Sequence, residues 1–226
     1  MDVNWKMPPK AIHPFFKSTR TPPVPSSPSS NTKTEPSHQK KPKPSTKTQA
    51  QTQWQNVLSQ YLTSPESFTS AVVVKATEKV VVINDAFPKA KLHFLLLPRM
   101  KDLEMLEMLK RTVEELRNNH PDATLRAGFH AIPSMAHLHL HLISDDFISP
   151  ALKNKKHWNS FTTPFFVPLD KVIDEVTRNG CIKVDKEANE WLLKGPLVCH
   201  KCQQTLKNIP DLKRHLEIHV ESVKNG

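Results

Sequence analysis

The chain has 226 residues, of which 37% are hydrophobic, and carries a formal net charge of +10 at pH 7. This length is enough for one well-buried core and an appendage. No apolar stretch approaches the roughly 20 residues of a membrane-spanning helix, and the N-terminus lacks the apolar segment of a secretion signal, so we expect a soluble intracellular protein without a membrane partner.

The first fifty residues differ in composition from the rest of the chain. They hold ten prolines, and nine Lys or Arg residues against two acidic residues, which leaves a charge of about +7 within residues 1–50. Such a segment cannot bury enough apolar surface to offset the entropy of ordering it. We therefore predict a disordered basic arm rich in Pro, Ser and Lys.

Two features of this arm have alternative interpretations. The apolar run Ala11–Phe16 either docks on a partner or consists of isolated apolar residues in a disordered tail. The lysines within 40–43, together with Lys47, either direct the protein to nucleic acid or to the nucleus, or are solvated charge. For the apolar run, isolated residues in a disordered tail are the favoured alternative. For the lysines, solvated charge is the commoner outcome.

Ordered structure is predicted to begin near Trp54. The segment Trp54–Leu62 has apolar residues at helical spacing, and Ser64-Pro65 ends it because the residue before proline is kept out of the helical conformation. The patterns that follow predict a hairpin, a third strand, an amphipathic helix and a fourth strand, at Ala71–Val74, Val80–Ile83, Leu92–Leu97, Lys101–Asn119 and Thr124–Ala131. With one further strand, described next, this order predicts an α+β fold in which helices cover one side of an antiparallel sheet.

The further strand contains three histidines, His137, His139 and His141, which alternate with leucines. Side chains on a strand point to opposite faces in turn, so the imidazoles share one face and the leucines the other. The strand by itself leaves three interpretations open: a metal site, a set of nucleophilic and proton-transfer groups, or the polar face of a half-buried sheet.

The C-terminal segment has the ligand spacing of a zinc finger. Cys199 and Cys202 are separated by two residues, and His215 and His219 follow after twelve more, one helical turn apart. This spacing predicts a structural Zn²⁺ bound tetrahedrally, one per chain, in a ββα-like domain at residues 181–226. Cys181 is then left over as a reduced thiol.

The finger also carries basic residues. Lys213 and Arg214 fit contacts to phosphate groups, although a finger of this type binds protein equally well. One finger reads about three base pairs, so we expect it to position the protein on double-stranded DNA without selecting a sequence.

Longer motifs connect the histidine strand to a known family. The chain resembles the histidine-triad nucleotide hydrolases and transferases in its His-x-His-x-His motif and in two segments upstream. It resembles the aprataxin family of DNA-repair deadenylases more closely, through Gly128–Met135, Ser149–Phe161 and the terminal finger. The resemblance covers roughly residues 54–219. The upstream motifs are Asn84-Asp85-x-Phe87-Pro88-Lys89 and His93-Phe94-Leu95-Leu96-Leu97-Pro98.

The resemblance implies a histidine-triad catalytic domain at residues 51–180 that needs no catalytic metal. By the family pattern, His139 is a nucleophile that forms an adenylyl-histidine intermediate, which water resolves. Of its neighbours, His141 stabilises the site, His137 lies beside the transferring phosphate, and Ser134 supplies a hydroxyl on the phosphate side. His130 stabilises charge or protonates the leaving 5′-phosphate. The matching nucleotide-binding positions are Asp85, for the ribose hydroxyls, with His93 and Lys89.

The resemblance also implies a substrate larger than a nucleotide. The basic loop after the triad places positive charge and one indole ring beside the adenylate site, at Lys153, Lys155, Lys156, His157 and Trp158. The alternatives are that the lysines are a solvated surface and that Trp158 belongs to the core. Trp54 corresponds to an aromatic or apolar wedge that stacks on the terminal base pair, and the alternative for Trp54 is a buried anchor of its own helix.

The expected function is therefore a nuclear, monomeric DNA 5′-adenylate hydrolase. Its substrates would be adenylated DNA or RNA-DNA ends, its product would be AMP, and its basic arm could bind a repair protein. Long-form members of the family carry a phosphopeptide-binding FHA domain where this chain has the Pro-rich arm, so recruitment through such a domain is not expected. The alternatives are a general histidine-triad hydrolase acting on AMP-lysine or dinucleoside polyphosphates, and a non-catalytic zinc-finger protein that binds nucleic acid.

Overall fold

A computed structural model describes residues 16–18, 55–102 and 104–224, with the backbone alone described at 16–18 and 220–224. Most of the predicted arm, including its lysine cluster, lies outside these residues. So does Trp54, and of the apolar run Ala11–Phe16 only the backbone of Phe16 is included. The predictions for these segments therefore stay predictions.

The described residues form an α+β fold, as predicted. The strands are β1 Phe16–Ser18, β2 Val73–Ala76, β3 Val80–Asn84, β4 His93–Pro98, β5 Leu125–His130, β6 Leu140–Ser144, β7 Phe166–Pro168, β8 Ile182–Val184, β9 Leu197–Val198 and β10 Thr205–Leu206. The helices are α1 Ser59–Thr63, α2 Glu104–Asn119, α3 Lys155–Thr162, α4 Leu169–Asn179, α5 Lys186–Lys194 and α6 Ile209–Lys224, with a single 3₁₀ turn at Pro65–Ser67. None of these helices is both long and apolar enough to cross a membrane.

Six strands form the central antiparallel sheet in the order β2-β3-β4-β6-β5-β7. Leu95 of β4 and Gly128 of β5 pair with His141 of β6 from its two sides. Gly128 also lets β7 approach closely, because a Cβ atom there would lie 2.6 Å from the carbonyl oxygen of Val167. The third histidine of the motif thus lies in the middle of the sheet.

Alternation along the strands separates the two faces of the sheet. One face packs against α2, α4 and β8 in the largest core, which includes the three leucines that alternate with the histidines. The other face is covered by α1 near Leu95 and by α3 and the finger near Ile143. Helices thus lie on both faces and not on one as predicted. The uncovered gap between α1 and α3 exposes the middle of the second face.

The segment predicted as a basic loop is instead the helix α3. The side chain of Asn154 accepts a hydrogen bond from the backbone N–H of His157 and so caps the first turn. Trp158 and Phe161 follow at a spacing of three residues and are both buried. This cap and spacing were present in the sequence, but the run of lysines obscured them.

The finger and the domain that contains the central sheet share a hydrophobic core. Leu197, Leu212 and Leu216 of the finger pack in one cluster with residues of β6, α3 and β7. Ile182 and Val184, which lie beyond the predicted boundary at residue 180, belong instead to the main core under the sheet. The packing therefore supports a boundary nearer residue 197.

Strand β8 also pairs in parallel with β1, a segment of the predicted arm. Phe16 lies opposite Ile182, and Ser18 lies opposite Val184. The prediction of disorder throughout residues 1–50 is wrong for these three residues, because a strand edge supplies hydrogen-bond partners that composition does not reveal.

Candidate active site and zinc centre

The gap between α1 and α3 contains a cavity of about 520 Å³. It brings together residues from five separate parts of the chain, and predicted nucleotide-binding and catalytic positions meet within it. Its lining includes Asp85, Lys89, His93, His130, Ser134, His139, His141, Lys153 and His157, together with Val57, Leu58, Tyr61, Ile83, Met135, Ser160 and Phe161. A pocket of this size, apolar at one end and polar at the other, suits a nucleotide.

His139 has the geometry of a nucleophile. Its Nδ1 lies 2.8 Å from the backbone carbonyl oxygen of His137, which can only accept, so Nδ1 carries the proton and Nε2 carries the lone pair. Burial lowers the pKa of His139, against the opposing effects of this hydrogen bond and of Asp85. The ring is therefore neutral near pH 7, with the lone pair on Nε2.

His137 contacts its surroundings through both its backbone and its ring, since its carbonyl oxygen accepts from Nδ1 of His139. Its Nε2 donates to the carbonyl oxygen of Pro98 at 2.9 Å, and its side chain is not among those that line the cavity. This ring nitrogen is thus engaged with the backbone, and the place of the imidazole beside the transferring phosphate stays a prediction.

Two further histidines have unused nitrogens beside His139. The ring centroids of His130 and His141 are 4.3 Å apart, and the Nε2 atoms of both are buried without a hydrogen-bond partner among the described residues. Burial also lowers the pKa of both rings well below the ordinary value, so both are neutral. Unpartnered polar atoms lining a cavity mark places where a ligand completes the hydrogen bonding.

His93 lies behind His141. Its Nε2 is 3.0 Å from Nδ1 of His141, and its Nδ1 accepts a hydrogen bond of 3.2 Å from the backbone N–H of Lys89. Burial lowers the pKa of His93 to about 4, although the nearby carboxylate of Asp85 opposes the shift. The family pattern predicted a histidine close to the active site, and the structure places this one in contact with a triad histidine.

The acidic and cationic groups lie at the rim of the cavity. Oδ1 of Asp85 accepts the backbone N–H of Phe87 at 2.7 Å, which fixes the carboxylate and leaves Oδ2 free to accept other donors. The ammonium group of Lys89 donates to the carbonyl oxygen of Phe87. Burial lowers the pKa of Lys89, with Asp85 opposing the shift. Ser134 is exposed at the same rim.

Asp85, His93 and His141 are close enough to hold a metal ion, since one ligand atom from each lies within 4.8 Å of the others. The hydrogen bonds argue against this use. Both ring nitrogens of His93 are already engaged, one by the amide of Lys89 and one by His141. A metal-bound imidazole needs a free lone pair, and His93 does not offer one.

The predicted DNA contacts separate into two groups. Lys153 and His157 line the cavity, and Lys155 and Lys156 are exposed on the first turn of α3. No ion pair involves Lys155 or Lys156 anywhere in the described ranges. The basic rim of the cavity therefore continues onto an open surface.

Trp158 does not offer an open face, so the prediction that it contacts DNA is wrong. It is fully buried, its Nε1 donates to the carbonyl oxygen of Val198 at 3.0 Å, and its ring packs against Phe147 with centroids 5.2 Å apart. The helical geometry of α3 turns this residue toward the finger.

The two basic residues of the finger that were predicted to contact DNA differ in their surroundings. The ammonium group of Lys213 donates to the carbonyl oxygen of Ser149 at 2.9 Å, whereas Arg214 is exposed and pairs with Asp211.

Phe161 is the main functional position that sequence reasoning missed. Its ring lies edge-on or tilted against His93, His130 and His141, with centroid distances of 5.3, 4.7 and 5.2 Å. It forms the apolar wall that keeps these histidines dry and lowers their pKa values. Its spacing of four residues from His157 on α3 is the signal that could have identified it.

The finger residues converge as zinc ligands do. Sγ of Cys202 is 3.1 Å from Nε2 of His215, Sγ of Cys199 is 3.5 Å from Nε2 of His219, and the two Nε2 atoms are 3.1 Å apart. Tetrahedral ligands at zinc distances of about 2.0–2.3 Å are separated by similar amounts. Two imidazole lone pairs and two thiolates facing one point repel one another unless a cation lies between them, so the residues fit a structural Zn²⁺.

The depressed pKa of His93 makes stability depend on pH. The pKa is about 4 in the folded protein against 6.5 in the unfolded chain, so the unfolded chain binds more protons between these values and acidification favours unfolding. Between pH 7 and pH 5, His93 alone should cost about 2 kcal/mol of unfolding free energy.

Urea unfolding at both pH values tests this expectation, with His93→Gln as the matched control. The variant should lose less stability on acidification than the wild type by about that amount. Equal pH dependence of the two proteins would contradict a buried neutral His93.

Comparisons with known proteins agree with this geometry. The family model described as "C2HE / C2H2 / C2HC zinc-binding finger" matches residues 162–222, and the one described as "Scavenger mRNA decapping enzyme C-term binding" matches residues 56–157. Aprataxin of Danio rerio is 42% identical over 182 residues, which are 75% of this chain and 54% of that protein. The chain thus spans about half the length of the first curated relatives.

Shorter relatives match along nearly their whole length. The aprataxin-like protein of Saccharomyces cerevisiae is 33% identical, over 75% of this chain and 97% of that protein. The crystal structure of the aprataxin ortholog Hnt3 in complex with DNA superposes with a TM-score of 0.58 at 30% identity, over 75% of this chain and 96% of that one. A second Hnt3 structure, from Schizosaccharomyces pombe, gives a TM-score of 0.55 at 31% identity, over 72% of this chain and 90% of that one. The chain therefore belongs to the aprataxin family of histidine-triad proteins with a C-terminal zinc finger.

Proposed function

We propose that this protein is a nuclear DNA-repair hydrolase that removes AMP from 5′-adenylated DNA ends. The observation that carries the proposal is the state of His139: a neutral imidazole with its proton held on Nδ1 and its Nε2 lone pair facing a nucleotide-sized cavity. The solved Hnt3 structures include complexes with DNA, which supports a nucleic acid as the larger part of the substrate.

The chemistry follows from the arrangement of the site. Nε2 of His139 attacks the phosphorus of the adenylate, a nitrogen–phosphorus bond forms, and the bond to the bridging oxygen breaks. The bond electrons leave with that oxygen on the 5′-phosphate of the DNA. Water then attacks the same phosphorus and releases a proton to solvent, the electrons of the nitrogen–phosphorus bond return to Nε2 of His139, and the products are AMP and a 5′-phosphorylated end. The intermediate is an adenylyl-histidine.

Neighbouring residues stabilise charge during both steps. The unpartnered Nε2 atoms of His141 and His130 are placed to donate to phosphoryl oxygens, and Ser134 adds a hydroxyl from the rim. A 5′-phosphate leaves readily, so a neutral His130 suffices as a hydrogen-bond donor. The free Oδ2 of Asp85 accepts the ribose hydroxyls, and Lys89 lies next to it.

The basic surface next to the cavity suits the phosphates of the DNA strand. Lys153 and His157 lie at the cavity wall, and Lys155 and Lys156 extend the positive charge outward along α3. Arg214 of the finger is exposed and provides a second contact. The wedge role of Trp54, which lies outside the described residues, stays a prediction.

Hydrolysis of a 5′-adenylated nicked duplex, compared with AMP-lysine at equal concentration and low salt, tests the proposal. We expect the nick to be hydrolysed with a kcat/KM at least about 100-fold higher, because phosphate contacts add binding that the small substrate cannot use. Hydrolysis of AMP-lysine alone would favour the general nucleotide hydrolase. Binding of DNA without any hydrolysis would favour the non-catalytic protein.

A double variant separates the DNA surface from the chemistry. Lys155→Ala combined with Lys156→Ala should raise KM for the nick. The slope of log kcat/KM against log salt concentration should become less steep by about one for each lost phosphate contact. AMP-lysine hydrolysis should be unchanged. Lys171→Ala combined with Lys186→Ala removes two lysines that already pair, with Glu175 at 3.7 Å and with Glu190 at 3.6 Å, and serves as the charge-matched control.

A further inference from the structure

The hydrogen bonds of His93 determine where its proton lies. A backbone N–H can only donate, so the contact of 3.2 Å from the amide of Lys89 requires a lone pair on Nδ1 of His93. The ring proton of neutral His93 is then on Nε2. Nε2 is 3.0 Å from Nδ1 of His141, which must accept, so neutral His141 carries its own proton on Nε2.

Among the residues that the structure describes, the carboxylate of Asp85 competes with the amide of Lys89 for Nδ1 of His93. Its Oδ2 lies 3.6 Å from Nδ1 of His93, and a proton on Nδ1 would point toward it. That separation exceeds the length of a hydrogen bond, whereas the contact from Lys89 is within it. The other carboxylate oxygen is held by the amide of Phe87. The amide of Lys89, and not the carboxylate of Asp85, therefore determines that Nδ1 of His93 is unprotonated.

The loop that carries this amide is fixed at several points. The hydroxyl of Ser149 donates to the carbonyl oxygen of Pro88, and the ammonium group of Lys89 donates to the carbonyl oxygen of Phe87. The backbone N–H of Asp85 donates to the carbonyl oxygen of His93 at 2.9 Å. The amide of Lys89 is thus a rigid origin for a chain of hydrogen bonds that ends at a buried, unpartnered Nε2–H on His141.

We propose that His93 is a positioning residue that acts through His141, and that the backbone amide of Lys89 sets the proton position of both rings. His93 lies among the residues that line the cavity, and its effect on the reaction is exerted through His141. It ensures that His141 presents an N–H, and not a lone pair, to the phosphoryl oxygen. This inference deepens the proposed function and depends on it for the catalytic consequence, whereas the proton positions do not depend on it.

The catalytic consequence is large because the other tautomer of His141 would turn its attraction for the phosphoryl oxygen into repulsion. With its proton on Nδ1, His141 would direct the Nε2 lone pair at a negatively charged oxygen. Loss of one preorganised donor of this kind typically costs about 10²–10³-fold in kcat. Binding of the nucleotide, which involves the rim and the apolar end of the cavity, should be little affected.

Two variants at one position test the proposal. In His93→Gln the amide nitrogen occupies the place of Nε2, so the donor to His141 is kept. In His93→Asn the side-chain oxygen can still accept from the amide of Lys89, but no donor reaches His141. We expect His93→Asn to lower kcat for AMP-lysine about 10²-fold with KM changed less than about threefold, and His93→Gln to lose no more than about tenfold.

Nitrogen-15 NMR of the histidine rings measures the tautomer of His141. This tautomer should not change if His93 has only a structural role. Without any substrate, His141 should show the Nε2–H tautomer in the wild type and in His93→Gln, and a mixture of tautomers in His93→Asn. Loss of a resonance in His141→Gln assigns the signal. Because this spectrum needs no turnover, failure of the proposed hydrolase function would leave the tautomer result intact.

Three outcomes would overturn the proposal. One is a dominant Nε2–H tautomer on His141 in a folded His93→Asn variant. Another is a raised KM with unchanged kcat in both variants, which would indicate a nucleotide contact. The third is an Nδ1–H tautomer on His141 in the wild type, which decides the question even if His93→Asn does not fold.

Discussion

Replacing His139 by alanine should abolish hydrolysis of both adenylated DNA and AMP-lysine, with kcat reduced by at least about 10⁴-fold. The reason is that the substitution removes the atom that forms the covalent bond to phosphorus, and the remaining donors stabilise a transition state that can no longer form. The hydrogen bond it removes is local, from the ring to the carbonyl oxygen of His137 two residues away. The unfolding midpoint should therefore change by less than about 5 °C.

Single-turnover kinetics and trapping of the intermediate measure this effect. Substrate labelled in the AMP should transfer label to the wild-type protein, in a bond that survives alkali and is lost in acid, as a phosphoramidate is. His120→Ala is the matched control, since this histidine lies outside the cavity and stacks on Phe94 with centroids 5.6 Å apart. Activity of His139→Ala within tenfold of the wild type, or label on that variant, would identify a different nucleophile.

Cys199→Ala should reduce the zinc content from about one ion per chain to none. Two thiolates and two imidazoles are needed for a closed structural site, and apparent binding free energies of about 10–16 kcal/mol contribute directly to folding of such modules. The effect should reach the active site, because Cys199 and Leu212 share a core with Trp158 and Phe161. We expect the unfolding midpoint to fall by at least about 10 °C.

Elemental analysis and calorimetry on the same samples measure both effects. Cys181→Ala is the matched control: this cysteine is also buried and free, but it is not in the ligand cluster, so the variant should keep one zinc per chain. Retention of zinc in Cys199→Ala would place the ion elsewhere. A wild-type protein without zinc would exclude the finger as a metal centre.

Local patterns were sufficient for much of the fold. The helix α2 follows from apolar residues at steps of three and four, and five of its apolar residues, Met105, Leu106, Leu109, Val113 and Leu116, are buried in the core against the sheet. The hairpin β2–β3 follows from two β-branched runs. Most helices and strands begin or end one to three residues from the predicted positions. The last turn of a helix and the last residue pair of a strand depend on neighbours that are remote in sequence.

The zinc ligands were predictable for the same reason. Their spacing is local, and one metal with fixed bond lengths imposes the same geometry wherever that spacing occurs. Asn154, the cap of α3, was equally local but was overlooked beside the lysines. Its consequence, the burial of Trp158, follows once the helix is placed.

The sequence by itself determined the two periodic features of this protein: three histidines alternating with three leucines, and four zinc ligands at finger spacing. Tertiary structure decided which groups of the site touch. The pairing of β4 with β6 brings His93 to His141, and the shared core of finger and α3 turns Trp158 inward and Phe161 toward the histidines. Periodicity fixes the face on which a side chain lies, whereas contacts between remote segments arise only when burial of both surfaces outweighs the entropy of closing the chain between them.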